Sequence, residues 1–93
     1  MKHFIIVKFK KDYNYKEELD NINNLFNEAM LIPEIKDIIV HQSNSSRDNR
    51  YDLMIEMILT TNGLQDFDNS EVHKQWKEVY GKHIENKTIF DCE

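Results

Sequence analysis

Apolar positions recur along the chain with two periods, and each change of period marks an element. In residues 2–10, KHFIIVKFK, His3, Ile5, Val7 and Phe9 alternate with Lys2, Phe4, Ile6 and Lys8, the two-residue period of a strand. From Asn14 the period lengthens. Leu19, Ile22, Phe26, Ala29 and Met30 fall on one stripe of an amphipathic helix. Asn14 with Glu17 three residues on predicts a capping box at its start. Pro33 predicts its end, because the residue before a proline avoids helical geometry. Residues 35–42, IKDIIVHQ, predict a second strand, and Ser43–Asn49, SNSSRDN, a polar loop. Residues 50–60 predict a third strand, with Tyr51, Leu53, Ile55, Met57 and Leu59 on one face and Asp52, Met54, Glu56 and Ile58 on the other. GLQDF from Gly63 predicts a short helical turn. Ser70 caps a further helix that carries Val72, Trp76, Val79 and Tyr80 on one side. Gly81 is the expected stop of that helix, where a residue tolerant of positive φ is favoured, and residues 86–92, NKTIFDC, predict a fourth strand.

The order β-α-β-β-α-β is that of a ferredoxin-like α+β fold: a four-stranded antiparallel sheet with both helices on one face. Helices on one face leave the other to water, and that face should be polar. It is not, since Phe4, Ile6, Met54 and Ile58 oppose the first apolar set. At about 25 cal/mol per Å², even a few hundred Å² of exposed apolar surface is a strong drive to associate. The expected partner is a second copy, sheet against sheet about a two-fold axis. On this reading His3, Ile5, Val7 and Phe9 line the inner face of a barrel that the second chain completes.

Composition narrows the function classes. The 93 residues suit one domain, 1–93, small enough to gain from pairing. A net charge of −5 argues against a nucleic-acid partner; Lys8, Lys10 and Lys11 are expected to be a solvated strand end. Cys92 is the single cysteine, so no internal disulfide forms. No stretch is long and apolar enough for a membrane span, and no signal-peptide pattern opens the chain. The cytoplasm is the expected compartment, and no cofactor is expected.

The opening KHFIIVKFK, the helix exit IPEIKDI, the strand YDLMIEM, the helix start NSEVHKQW and the closing NKTIFDC, in this order and spacing, resemble the stress-responsive A/B barrel domain family, the dimeric α+β barrels. The resemblance covers essentially the whole chain. It implies a homodimer whose two sheets form a barrel. A plant subset of similar fold are polyketide cyclases that use one histidine on the first strand and another in the helix before the last strand, positions matched by His3 and His73. Where those cyclases carry a tyrosine ahead of the second histidine and a histidine on the third strand, this chain has Phe67 and Leu53.

His3 and His73 are therefore the candidate catalytic residues. Histidine titrates near neutrality and relays protons, and the first turn of a helix favours a neutral His73. Ile5, Val7, Tyr51, Leu53, Phe67, Trp76 and Tyr80 are the candidate ligand-binding residues, with Trp76 and Tyr80 also at core spacing. Two histidines without a third ligand do not make a metal site. His41 is expected on the surface, His83 in a loop with no part in the chemistry, and Asp91 and Glu93 solvated near the chain end. The expected function is binding of a small apolar or aromatic ligand in a His-lined cavity. Two alternatives stand beside it: a cofactor-free enzyme using His3 and His73 for proton transfer, and a non-catalytic, stress-associated assembly.

Overall fold

The computed structural model describes all residues, Met1–Glu93. Its elements are β1 (Lys2–Phe9), a 3-10 turn (Tyr15–Glu18), α1 (Leu19–Ala29), β2 (Ile35–Gln42), β3 (Leu53–Leu59), α2 (Gly63–Asp68), α3 (Glu71–Gln75), a π turn (Trp76–Tyr80), a 3-10 turn (Gly81–His83) and β4 (Ile84–Cys92). The four strands form one antiparallel sheet in the order β2-β3-β1-β4, the ferredoxin-like arrangement expected. No helix is long and apolar enough to cross a membrane.

The two central strands are built by strict alternation. His3, Ile5, Val7 and Phe9 of β1 are buried, as are Leu53, Ile55, Met57 and Leu59 of β3. The antiparallel register sets Ile5 opposite Ile55 and Val7 opposite Leu53. Ile22, Leu25, Phe26 and Ala29 of α1 and Phe67, Val72, Trp76 and Tyr80 of the second helical segment close over them. Phe26 anchors the helical layer, meeting Trp76 edge-on at 5.0 Å and Phe67 at 6.3 Å. Fully burying one such side chain contributes about 1.5–3 kcal/mol, and this shared layer holds the domain together.

That packing corrects the assignment of the first apolar face. His3, Ile5, Val7 and Phe9 are covered by helices of their own chain, not by a second copy. The face left open is the other one: Phe4, Ile6, Met54 and Ile58 are half-buried, and Ile39 and Phe90 are exposed. Phe4 and Phe90 face each other across β1 and β4, their rings 6.3 Å apart.

Four local expectations also change. The chain enters α1 through a 3-10 turn, and Asn14 caps it with no side-chain hydrogen bond. The third strand starts at Leu53, so Tyr51 lies outside it; its hydroxyl meets Thr88 Oγ1 at 2.8 Å, on the open face of the sheet. The fourth strand starts two residues early, at Ile84. Gly81 has φ −55° and runs on into another turn, so no left-handed residue stops the helix. Ser70, by contrast, is the expected cap: its Oγ accepts the His73 N–H at 3.2 Å.

Gly63 is the glycine the packing requires. A Cβ there would sit 2.8 Å from the Glu34 carbonyl oxygen and 2.8 Å from Leu59 Cβ, whereas at Gly81 it would meet nothing within 4 Å. Gly63→Ala is expected to cost about 1–3 kcal/mol, as overpacking does. Gly81→Ala, at a compatible φ, should gain about 0.4–1 kcal/mol through the unfolded chain. Urea unfolding of the two variants checks the pair; a loss at Gly81 as large as that at Gly63 would contradict this packing.

Candidate functional site

Five sequence-predicted residues, His3, Ile5, Phe67, His73 and Trp76, meet at one cavity because the fold leaves a gap. α2, α3 and the π turn cover β1 but not the edge strand β4, which is exposed or half-exposed throughout. A cavity of about 290 Å³ opens between them. His3 stands at its β1 side, Phe67, His73 and Trp76 on the helical side, and Lys87, Ile89 and Asp91 on β4.

Register places the central pair. His3 lies directly opposite Asp91 in the β1–β4 ladder. The side chains meet at 2.5 Å between His3 Nδ1 and Asp91 Oδ1. His3 is 6% exposed and is the only polar residue among the fully buried ones, while the Asp91 side chain keeps 42% exposure. With the carboxylate accepting from Nδ1–H, a neutral ring carries its free lone pair on Nε2. Every buried side-chain nitrogen and oxygen of the chain has a partner, so the ring enters the core without an unsatisfied group.

His73 is positioned from the backbone. Ser70 Oγ accepts the His73 N–H and donates to the Phe67 carbonyl at 2.6 Å, joining the end of α2 to the start of α3. The imidazole then stands edge-on to Phe67 with centroids 5.2 Å apart. Trp76 opens the π turn and is buried at 3% exposure. A π turn re-aims side chains relative to an α-helix and recurs at functional sites.

Of the residues expected to bind a ligand, Ile5, Phe67 and Trp76 line this cavity. Val7 and Leu53 are sealed in the core beneath it. Tyr80 packs on Trp76 at 5.3 Å on the far side, its phenol pushed up by burial, then by Glu18 and Tyr13. Tyr51 is away on the open face of the sheet. Phe67 therefore gives the cavity an apolar wall, and Leu53 contributes no polar group to it.

Asp91 was expected to be solvated; its bond to His3 corrects that. Asp68, Lys87, Ile89 and Leu64 are further lining residues that periodicity alone did not single out. The signal for Asp91 was present: once β1 neighbours β4, the alternation that puts His3 with Ile5 also puts Asp91 with Ile89. The other histidines stand elsewhere. His41 Nε2 meets Glu56 Oε1 at 2.9 Å on the open face, and His83 stacks on Tyr13 at 3.9 Å. No group of three or more His, Cys, Asp or Glu is arranged to hold a metal ion.

Comparison of the whole structure with solved ones fixes the architecture. A dimeric ferredoxin-like protein of unknown function from Thermobifida fusca superposes with TM-score 0.80 at 11% identity, covering 96% of this chain and 85% of that one. The chain is a ferredoxin-like α+β protein. A dabb family protein from Mesorhizobium loti matches with TM-score 0.73 at 12% identity over 99% of this chain and 93% of that one. A hydroxynitrile lyase from Passiflora edulis matches with TM-score 0.75 at 14% identity over 96% and 87%. These structures agree with the resemblance to the stress-responsive A/B barrel domains, and at such identities the likeness is one of fold. No protein-family model matches the sequence, and no curated protein does.

The His3–Asp91 bond should be measurable as a coupling. Removing Asp91 leaves a buried Nδ1–H without its acceptor, which costs about 1–3 kcal/mol; the half-open carboxylate places Asp91→Ala near the lower end, about 1 kcal/mol. In a double-mutant cycle with His3→Ala the two losses should fall short of additive by a similar amount. Strict additivity in urea unfolding would mean the pair is not bonded in solution.

Proposed function

We propose that the chain forms a homodimer through the open face of its sheet and binds a small molecule with an apolar body and a carbonyl or hydroxyl group in the His3 cavity, where His3 accepts a proton. One observation carries the reading: a buried histidine, backed on Nδ1 by a carboxylate, beside a second histidine in a pocket whose other lining is half apolar or more, with Lys87 and Asp68 at its polar side.

The chemistry follows from the arrangement. A ring whose Nδ1–H is held by Asp91 offers Nε2 as the base, and the carboxylate stabilises the imidazolium that forms when the proton arrives. His73 and Lys87, from opposite walls, supply donors for an oxygen that gains negative charge in the same step. Ile5, Phe67 and Trp76 hold the apolar part of the ligand. The volume, about 290 Å³, lies at the lower end of ligand pockets, about 300–1,000 Å³, and suits a single-ring compound. A fold neighbour named as a hydroxynitrile lyase is an enzyme on this scaffold.

The dimer is supported by the open face. Phe90 is 58% exposed on the edge strand beside the half-buried Phe4 and Ile6, and an exposed apolar face of this kind associates unless blocked. The neighbours described as dimeric have this fold.

Two measurements test the reading. Sedimentation should give a dimer at micromolar concentration and a monomer for Phe4→Glu combined with Phe90→Glu; a wild-type monomer would refute the assembly. In D₂O, acetophenone and ring-substituted aryl methyl ketones serve as carbon-acid probes. Exchange of their methyl protons should be accelerated by the protein and fall by about 10²-fold or more in His3→Gln, the scale of general-base catalysis. Exchange unaffected by His3→Gln, with the variant folded by circular dichroism, would overturn the proton-transfer role.

A further inference from the structure

At the opposite end of β1 from His3, the chain gathers its positive charge. Lys8, Lys10, Lys11, Lys16, Arg47 and Arg50 line one cavity of about 260 Å³. They are half of the twelve Lys and Arg in a chain of net charge −5. They come from the end of β1, the turn after it, the 3-10 turn and the loop before β3, so folding rather than sequence proximity assembles them.

None of them is held in an ion pair. The chain's ion pairs are Met1–Glu93, His3–Asp91 and His41–Glu56, and no Lys or Arg is paired with a carboxylate. Two acidic residues, Asp48 and Asp52, line the same cavity. The Asp52 carboxylate accepts the Phe9 N–H at 2.8 Å, and Lys8 Nζ donates to the backbone carbonyl of Asp48. Arg50 donates to Asn49 Oδ1 at 2.7 Å. The side chains of Lys10, Lys11, Lys16 and Arg47 make no hydrogen bond or ion pair and are solvent-exposed. With six basic against two acidic groups here, fifteen acidic residues lie elsewhere in the chain against six basic ones. Like charges converging in this way repel, and an anion relieves the repulsion.

We propose that this pocket binds a small molecule carrying a diphosphate group. Arg47 and Arg50 offer the planar forks that match phosphate oxygens, the lysines offer point charges, and Ser45 and Ser46 add hydroxyl donors beside them. Tyr13 and Tyr15 complete the lining. Burial pushes both phenols up, with Glu18 adding to the effect at Tyr13 and Asp52 at Tyr15, so both stay protonated and donate. Tyr15 is held by stacking on Phe9 at 5.2 Å and Tyr13 by stacking on His83 at 3.9 Å. The cations surround one compact cavity and form no stripe, which suits a small anion better than a nucleic-acid strand. Lys10 and Lys11 are solvent-exposed at the strand end, as expected, and on this proposal they form one wall of the site with Lys8. This inference is independent of the His3 cavity, which shares no lining residue with it.

Calorimetric titration of the full chain with inorganic pyrophosphate and with ADP, at fixed ionic strength and with sulfate as control, tests it. The expected result is saturable binding with one site per chain, weakened at least ten-fold in the Lys10→Ala/Arg47→Ala variant and unchanged in His3→Gln. Equal affinity for both ligands would assign the site to the diphosphate group alone; tighter ADP binding would mean the tyrosine side also contacts the organic part. No saturable heat at millimolar ligand, equal affinity for sulfate, or undiminished binding by the double variant would overturn the proposal. So would binding of oligonucleotides that strengthens with their length while pyrophosphate does not compete.

Discussion

The structure turns on a shortfall of cover. A four-stranded sheet needs helices across its full width, and this chain supplies α1 together with the short α2, α3 and π-turn segment. That is enough to seal β1 and β3, whose inward side chains are all buried, but it leaves β4 at the margin. The cavity is the unsealed strip between the helical layer and that edge strand. His3 sits where the sealed region meets the open one. It is buried enough to need a partner, because an unpaired polar group in the core is costly, and it is close enough to the margin for the partner to come from β4. Asp91 answers that need and remains in contact with water.

The same constraint organises what lies outside the cavity. With all helical cover on one side, the other face of the sheet keeps Phe4, Ile6, Met54, Ile58 and Phe90 at its surface, and an apolar face of this kind calls for a partner. The cationic end of the sheet is set apart from both. It lies where β1, the 3-10 turn and the polar loop converge. Three surfaces of different chemistry, one apolar, one cationic and one mixed and concave, are thereby distributed over a chain of 93 residues.

Much of this was legible in the sequence, for definite reasons. Period-two alternation in β1 and β3 and the helical stripe of α1 are strong signals because each reflects a single buried face, and Ser70 as a cap is chemically explicit. The apolar character of both strand faces was legible too, but not which face the helices take. His3 accompanies Ile5, Val7 and Phe9 on either assignment, and only the packing of Phe26, Phe67 and Trp76 decides between them. Gly81 misled because glycine after a helix is common for left-handed caps, whereas here the chain winds on through a 3-10 turn. Asp91 and the basic pocket were hidden for another reason. Both are made by residues far apart in sequence, 88 positions for His3 and Asp91, and no local pattern reports a cross-strand register or a loop folding over a strand end.

The central claim is a state of one ring: His3 protonated on Nδ1 toward Asp91, with Nε2 free in the cavity. Long-range ¹H–¹⁵N correlation spectra of the histidine side chains observe this directly in the unliganded protein at neutral pH. The account predicts that His3 shows the Nδ1–H tautomer, with Nδ1 in the pyrrole-like and Nε2 in the pyridine-like shift range, and that Asp91→Asn weakens that preference. A dominant Nε2–H tautomer, or rapid averaging like that of a solvated histidine, would contradict it.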